Sequence, residues 1–234
     1  MQASREDLLG LGVARLLEGA SYDVPEQGYA RIVYHLGAPS VPALAPGGLL
    51  APEPMPVGPL VLVDLETLGF MGRPLFLIGA LFVDAETEAS RARLVQYLAR
   101  DYSEEEAVVR AFLGETQDAR TWVTFNGRTF DLPVLSLRAA YYSLPAPQPA
   151  RHLDLLPVAR RLWGPQLPDC RLVTLEARIC QRWRGSDIGG AQVPAAYHAF
   201  VRTGEPWEML QILRHNASDL LSLLELLRRV LTVV

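Results

Sequence analysis

The most regular hydrophobic pattern in the chain begins at residue 60. Residues 60–64 read LVLVD, a continuous apolar run that ends in an acid. A run of this length and composition is typical of a strand buried on both faces of a sheet. Two further strand-like segments follow at 73–84 and 92–100, separated by a polar turn. The pattern therefore predicts three strands that form an antiparallel meander.

The middle of the chain carries one strand between two helical segments. Residues 103–114 have helical periodicity, start with Ser103 and Glu106 at the spacing of a capping box, and stop at Gly114. Residues 121–125, TWVTF, are rich in β-branched and aromatic side chains, which favour a strand. Helical periodicity returns directly after them, so this part of the chain is predicted to be a strand–turn–helix unit.

The second half of the chain is predicted to be helical. Helical periodicity covers residues 154–164, 171–180 and about 206–231. Strands followed by a βα unit and then by helices indicate an α/β fold. We expect a central mixed sheet, with an antiparallel meander first and parallel strands after it, flanked by helices.

The first quarter of the chain has a different composition. Residues 5–18 place leucines and a valine at helical spacing, which predicts a short amphipathic helix. The stretch from Pro39 to Pro59 contains seven prolines, which neither a helix nor a central strand tolerates. We therefore expect residues 1–57 to be an N-terminal helix and a Pro-rich extended arm, and residues 58–234 to be the main domain.

Composition and charge leave several classes of protein open. The net charge of −4 decides little, but residues 151–184 contain seven arginines and only three acids. Such a basic stretch suits a polyanion, although an ordinary solvated helix face explains it equally well. Cys170 and Cys180 lack the spacing of a zinc site, so both are expected to be reduced structural residues. With no leader and no apolar run of roughly 18 residues, we expect a cytoplasmic protein without a membrane span.

Three acidic segments carry the candidate chemistry. Asp64 and Glu66 lie two residues apart at a strand end, so strand alternation puts both carboxylates on one face. Asp131 begins a predicted helix, and His215 and Asp219 lie about one helical turn apart. Each segment alone has an ordinary explanation: a solvated strand end, a helix N-cap and a surface pair, respectively.

Taken together and in order, the three segments resemble a known set of motifs. DLETLG, FNGRTFDLPVL and HNASDLLSL are similar to the three exonuclease motifs of the DEDD superfamily, within the ribonuclease H-like fold. The segments between the second and third motifs look like those of the YprB-like ribonuclease H-like proteins. The resemblance covers roughly residues 58–231 and implies that residues 58–234 form a catalytic domain of this type.

The resemblance also implies a role for each matching residue. Asp64 would bridge two Mg²⁺ or Mn²⁺ ions, Glu66 and Asp219 would bind the ion on the nucleophile side, and Asp131 would serve the other ion. His215 would be the general base, although its three-residue interval to Asp219 is the spacing of family members that use Tyr. The positions that resemble the family's substrate contacts are Asn126 and the backbone after Glu66, at Thr67 and Leu68.

The function implied is hydrolysis of phosphodiester bonds in nucleic acid, from the 3′ end of a single strand. A structure-specific endonuclease of the same fold is one alternative. The other is a binding module that has lost turnover, which four converging carboxylates argue against because they would repel phosphate. The sequence leaves open whether the substrate is DNA or RNA, and which protein partners the chain has.

Overall fold

A seven-stranded mixed sheet forms the centre of the structure. The computed structural model describes residues 9–10, 12–13, 15, 17–36, 59–69, 72–84, 91–183, 185 and 188–233. The strands are β1 (Ala20–Asp23), β2 (Ala30–Leu36), β3 (Leu60–Thr67), β4 (Leu75–Asp84), β5 (Arg91–Leu98), β6 (Thr121–Thr124) and β7 (Arg151–Asp154). Their spatial order is β1-β2-β5-β4-β3-β6-β7. The pairs among β1 to β5 are antiparallel, whereas β6 is parallel to both β3 and β7, which confirms the predicted mixed sheet.

Six α-helices with defined bounds flank this sheet in the described part of the chain, besides the helical residues 9, 10, 12, 13 and 15. They are α1 (Glu105–Glu115), α2 (Asp131–Tyr141), α3 (Leu155–Trp163), α4 (Leu172–Leu175), α5 (Val193–Thr203) and α6 (Trp207–Val233). Helix α4 continues as a π-helical turn, Glu176–Cys180, which ends at Gln181 with a φ of 54°. The long helix α6 packs on β3 and β4, so its residues lie over the centre of the sheet.

Strand β3 is buried on both faces and divides the apolar core. Val61, Val63 and Leu65 belong to one buried cluster. Leu60 and Leu62 belong to another, together with leucines of α6. Because side chains alternate along a strand, Asp64 continues the row of Leu60 and Leu62 toward α6. The apolar run that predicted this strand therefore also fixes the direction in which its terminal acid points.

A buried ion pair connects α1 and α2 to the start of β4. The Glu105 carboxylate accepts hydrogen bonds from Arg138 Nε at 2.6 Å and Arg138 Nη2 at 2.7 Å. It also accepts from the Leu75 N–H at 2.7 Å and from the Tyr142 hydroxyl at 2.9 Å. Every charge and lone pair of this carboxylate is thus used by neighbouring groups, which is the arrangement that makes burial of an ion tolerable.

The first quarter of the chain contributes more to the sheet than the sequence indicated. β1 and β2 lie within residues 1–57, and β2 pairs with β5 over seven residues. The boundary at residue 57 therefore does not separate the sheet from the region before it. Leu9 and Val13 of the predicted N-terminal helix are helical and fully buried. The Pro-rich arm, apart from Pro59, lies outside the described residues.

Two local predictions need correction. Ser103 is not the N-cap of α1: Asp101 caps a short 3₁₀ turn at 102–104, and its carboxylate accepts the Ser103 N–H. Glu106 binds Arg110 on the helix surface at 2.6 Å, and α1 extends one residue past Gly114. The four-residue strand β7 was also missed, because an alternation this short is hard to distinguish from the start of the helix that follows it.

Two predictions about the whole chain can be compared with the described residues. Cys170 and Cys180 are both free cysteines, as expected, and Cys180 is buried. None of the described helices combines the length and the apolar character that crossing a bilayer requires.

Candidate active site

The acids and the histidine predicted from the three motifs meet where β3 passes under α6. Asp64 and Glu66 lie near the C-terminal end of β3, and His215 and Asp219 lie one turn apart on α6. His215 Nε2 is 3.6 Å from Asp219 Oδ2 and 3.9 Å from Glu66 Oε1. All three side chains are less than one-fifth exposed. The imidazole therefore lies between carboxylates that come from two elements distant in sequence.

Asp131 joins this site from the first turn of α2. Asp131 is 6% exposed. The N-cap residue of the helix, Phe130, makes no side-chain capping hydrogen bond. Burial raises the pKa of Asp131 to about 7, and backbone N–H groups oppose this shift while the charges of Asp154 and Glu66 add to it. Asp131 thus faces both a buried acid of β7 and one of the acids of β3.

The same electrostatic strain acts on Asp64. Burial raises the pKa of Asp64 well above its ordinary value, and the negative charges of Asp219, Glu66 and Asp131 raise it further. A hydrogen bond from the Asn216 side chain acts in the opposite direction. The four predicted acids are therefore close enough to repel one another, and the free energy of ionising all of them is high without a cation.

A hard divalent cation fits this donor set. Carboxylate oxygens are the ligands that Mg²⁺ prefers, and positive charge converts their mutual repulsion into attraction. As they stand, no three or more His, Cys, Asp or Glu side chains among the described residues are placed so that they could hold a metal ion. The carboxylates would therefore have to draw together around a cation, and they would supply oxygen donors without the thiolates or multiple imidazoles that favour zinc.

The predicted substrate positions lie at or just after the C-terminal ends of β3 and β6, which are neighbouring parallel strands. Asn126 follows β6, is exposed, and has a φ of 64°, which is uncommon for a residue with a side chain. Thr67 Oγ1 donates to Gly69 O at 2.6 Å. The Leu68 N–H donates to Pro74 O at 3.0 Å, so this N–H is not available for the backbone contact predicted at Leu68.

Asp154, which no sequence motif marked as functional, holds the loop that joins β6 to α2. Its carboxylate accepts the N–H groups of Asn126 at 2.8 Å and Arg128 at 3.0 Å, and it also caps α3 through Leu156 N at 3.1 Å. Three backbone donors stabilise this buried charge. Its place directly before a helical run was the available signal, since Asp is a preferred N-cap residue.

Asn216 and Gln96 were also missed. Asn216 Nδ2 donates to Asp64 Oδ2 at 2.8 Å, and Gln96 Nε2 donates to Asn216 Oδ1 at 2.8 Å. Both side chains are fully buried. Gln96 had a signal in the sequence, because it is a polar residue inside an otherwise apolar strand; Asn216 had none beyond its position next to His215.

The fold and site together define a class of protein. The antiparallel meander of β3, β4 and β5, continued by the parallel strands β6 and β7 and flanked by helices, is the arrangement of a ribonuclease H-like protein. Residues 61–231 match the profile of the RNase H superfamily, and the chain belongs to that superfamily.

The chain is also similar to several known proteins. The uncharacterized protein YprB of Bacillus subtilis (strain 168) is 33% identical over 172 residues, which cover 71% of this chain and 40% of YprB. The chain thus matches less than half the length of that relative. The family B DNA polymerase of Pyrobaculum calidifontis has the same fold, with a TM-score of 0.58, 17% identity and coverage of 82% of this chain and 28% of the polymerase. E. coli exonuclease I in complex with a dT13 oligonucleotide has a TM-score of 0.43 and 17% identity over 71% of this chain and 46% of that one.

Proposed function

We propose that this protein is a metal-dependent nuclease of the DEDD type, which hydrolyses phosphodiester bonds in nucleic acid. The observation that carries the proposal is the convergence of four carboxylates, Asp64, Glu66, Asp131 and Asp219, near the C-terminal end of β3. Buried acids that raise one another's pKa are destabilising, so their convergence calls for a function that needs them. Membership of the RNase H superfamily supports this interpretation.

The four acids would hold two Mg²⁺ or Mn²⁺ ions. Asp64 would contact both ions, Glu66 and Asp219 one of them, and Asp131 the other. When bound, such ions lower the pKa of an attacking water and stabilise charge on the leaving oxygen. The protein's own task is to hold the carboxylates in place, and the packing of α6 on β3 serves that purpose.

His215 is proposed as the general base. Its Nε2 lies within 4 Å of both Glu66 and Asp219, so these carboxylates would stabilise the imidazolium that forms when His215 accepts a proton. An imidazole can accept a proton at neutral pH, where a tyrosine side chain is already protonated. The helical interval between His215 and Asp219 places both on the same face of α6, which is the requirement for this role.

The substrate is proposed to be a single-stranded nucleic acid, cut from its 3′ end. Exposed arginines of the basic stretch would bind phosphates, while Asn126, Thr67 and Leu68 would contact the terminal nucleotides. Arg182 brings this stretch to the catalytic helix, because its Nη1 donates to Ser222 Oγ at 3.1 Å, about one turn beyond Asp219. The arginines described as exposed are Arg151, Arg160, Arg161, Arg171 and Arg178.

The test is the release of nucleotides from matched DNA and RNA oligomers labelled at either end. Wild type and Asp64→Asn are compared with Mg²⁺, with Mn²⁺ and with EDTA. We expect metal-dependent cleavage that is lost in the variant, with mononucleotides released from the 3′ end. Internal fragments would indicate an endonuclease instead of an exonuclease. Binding without cleavage under every metal condition would overturn the nuclease proposal.

A further inference from the structure

Asn216 is buried directly against the acid that is proposed to bridge the metal ions. Its side chain has no exposed surface, and its Nδ2 donates both to Asp64 Oδ2 at 2.8 Å and to Asp64 O at 3.2 Å. One amide group thus contacts the carboxylate and the backbone of the same residue. These two contacts restrict how the Asp64 side chain can rotate relative to β3.

The orientation of the Asn216 amide is determined by a second buried amide. Gln96 Nε2 donates to Leu213 O at 2.8 Å and to Asn216 Oδ1 at 2.8 Å. Since a backbone carbonyl can only accept, Leu213 requires that Gln96 present its NH₂ group on this side. Asn216 must then turn its oxygen to Gln96 and its NH₂ group to Asp64. The Leu213 carbonyl thus determines which group donates and which accepts in the hydrogen bonds that link Gln96, Asn216 and Asp64.

A glycine makes room for this arrangement. Gly79 of β4 lies between Asp64 of β3 and Gln96 of β5 in the register of the sheet. A Cβ atom at residue 79 would overlap the Asn216 side chain, with Oδ1 as the nearest atom. Glycine weakens a strand interior, so its presence here fits the close approach of another group.

We propose that Asn216, held by Gln96 over Gly79, is a positioning residue for Asp64. This inference rests on the proposed function, in which Asp64 is a metal ligand. A neutral amide suits the role, because it orients the carboxylate through a hydrogen bond but leaves the negative charge available to a cation. An arginine or lysine in the same place would pair with Asp64 and compete with the metal.

The test is a double-mutant cycle on metal binding, which does not depend on cleavage. Mn²⁺ affinity is measured by titration calorimetry for the full chain, for Asn216→Ala, for Gly79→Ala and for the double variant. We expect Asn216→Ala to weaken Mn²⁺ binding about tenfold, a typical effect of losing a group that orients a ligand. Gly79→Ala should weaken it similarly, because the new Cβ displaces the Asn216 amide. The double variant should bind as Asn216→Ala does, since the overlapping group is gone.

Val230→Ala provides the matched stability control. Val230 is a buried residue of α6 that lies 11 positions beyond Asp219. This variant should lose thermal stability through its cavity and keep the Mn²⁺ affinity of the wild type. If Asn216→Ala unfolds at a lower temperature but binds Mn²⁺ as tightly as the wild type, the positioning role is overturned and the proposed metal site is not. A wild-type protein that binds no Mn²⁺ would overturn the proposed metal site, and this inference with it.

Discussion

The structure buries carboxylates in two regions and treats them in opposite ways. Between α1, α2 and β4, Glu105 meets a guanidinium, a hydroxyl and a backbone N–H, all within 2.9 Å. At the end of β3, Asp64 meets three other carboxylates, and its pKa rises. Both arrangements are costly to build, but only the first is compensated by a cationic side chain that the fold itself provides.

This difference separates a structural charge from a functional one. The Glu105 carboxylate joins three elements and has its hydrogen-bonding capacity used within the protein. The Asp64 carboxylate has an orienting amide, and repulsion from its neighbours is left for a bound cation to relieve. The same residue chemistry therefore has different consequences, and the identity of the neighbours decides between them.

The largest expected effect is the loss of activity in Asp64→Asn. Removing one repelled charge should reduce cleavage below detection without lowering the melting temperature in EDTA, because no core volume is lost. Glu105→Gln is the matched variant: it should keep metal-dependent cleavage at low temperature and lower the melting temperature. Nuclease assays and thermal unfolding of both variants test whether the two substitutions have these opposite effects on cleavage and on stability. Equal losses of stability in the two would remove the distinction drawn between the regions.

Arg138→Met should be the most destabilising change in the region around Glu105. It leaves Glu105 buried without its guanidinium, which costs about 3 kcal/mol of unfolding free energy. Arg110→Met is the control on α1, because the Arg110–Glu106 pair is half exposed and pairs of that kind contribute about 0.5 kcal/mol or less. Chemical denaturation of the metal-free protein measures both. A similar, small effect of the two substitutions would contradict the structural role of the buried pair.

His215→Ala tests the chemistry of the site around Asp64. Loss of a general base should reduce the rate about 100-fold at pH 7, with partial recovery at higher pH as hydroxide replaces the base. The pH–rate profile of the variant at saturating metal is the measurement. A variant whose rate equals that of the wild type at pH 7 would exclude His215 as the base.

The last prediction concerns the pH dependence of stability without metal. The pKa of Asp131 lies at about 7 in the folded protein against an ordinary 3.8, so the folded state retains a proton that the unfolded state has released. Stability should therefore fall as the pH rises from about 4 to 7, and Asp64 shifts in the same direction.

Melting temperatures recorded in EDTA across this range, with Asp131→Asn beside the wild type, check the sign. The variant lacks the titrating group, so its melting temperature should fall less with rising pH. Added Mn²⁺ should protect the wild type most at the upper end of the range. A wild-type melting temperature that rises between pH 4 and 7 in EDTA would contradict the shift assigned to Asp131.

The elements that a local pattern specifies were predictable from the sequence. The meander of β3, β4 and β5 follows from long apolar runs, and the βα unit from a β-branched run before a helical one. β1, β2 and β7 were missed because their short segments mix polar and apolar residues, unlike the β-branched run of β6, and their stability comes from pairing with other strands. A capping-box spacing at Ser103 was likewise overridden by Asp101, two residues earlier.

The sequence by itself determined which residues are candidates for chemistry and, through the alternation of β3, that Asp64 and Glu66 share a face. It did not determine which buried acids are paired and which repel one another. Only the tertiary structure brings Arg138 to Glu105 and sets Asn216 and Gln96 beneath Asp64. The physical reason is that spacing along the chain fixes the direction of a side chain, whereas its electrostatic environment depends on packing between distant elements.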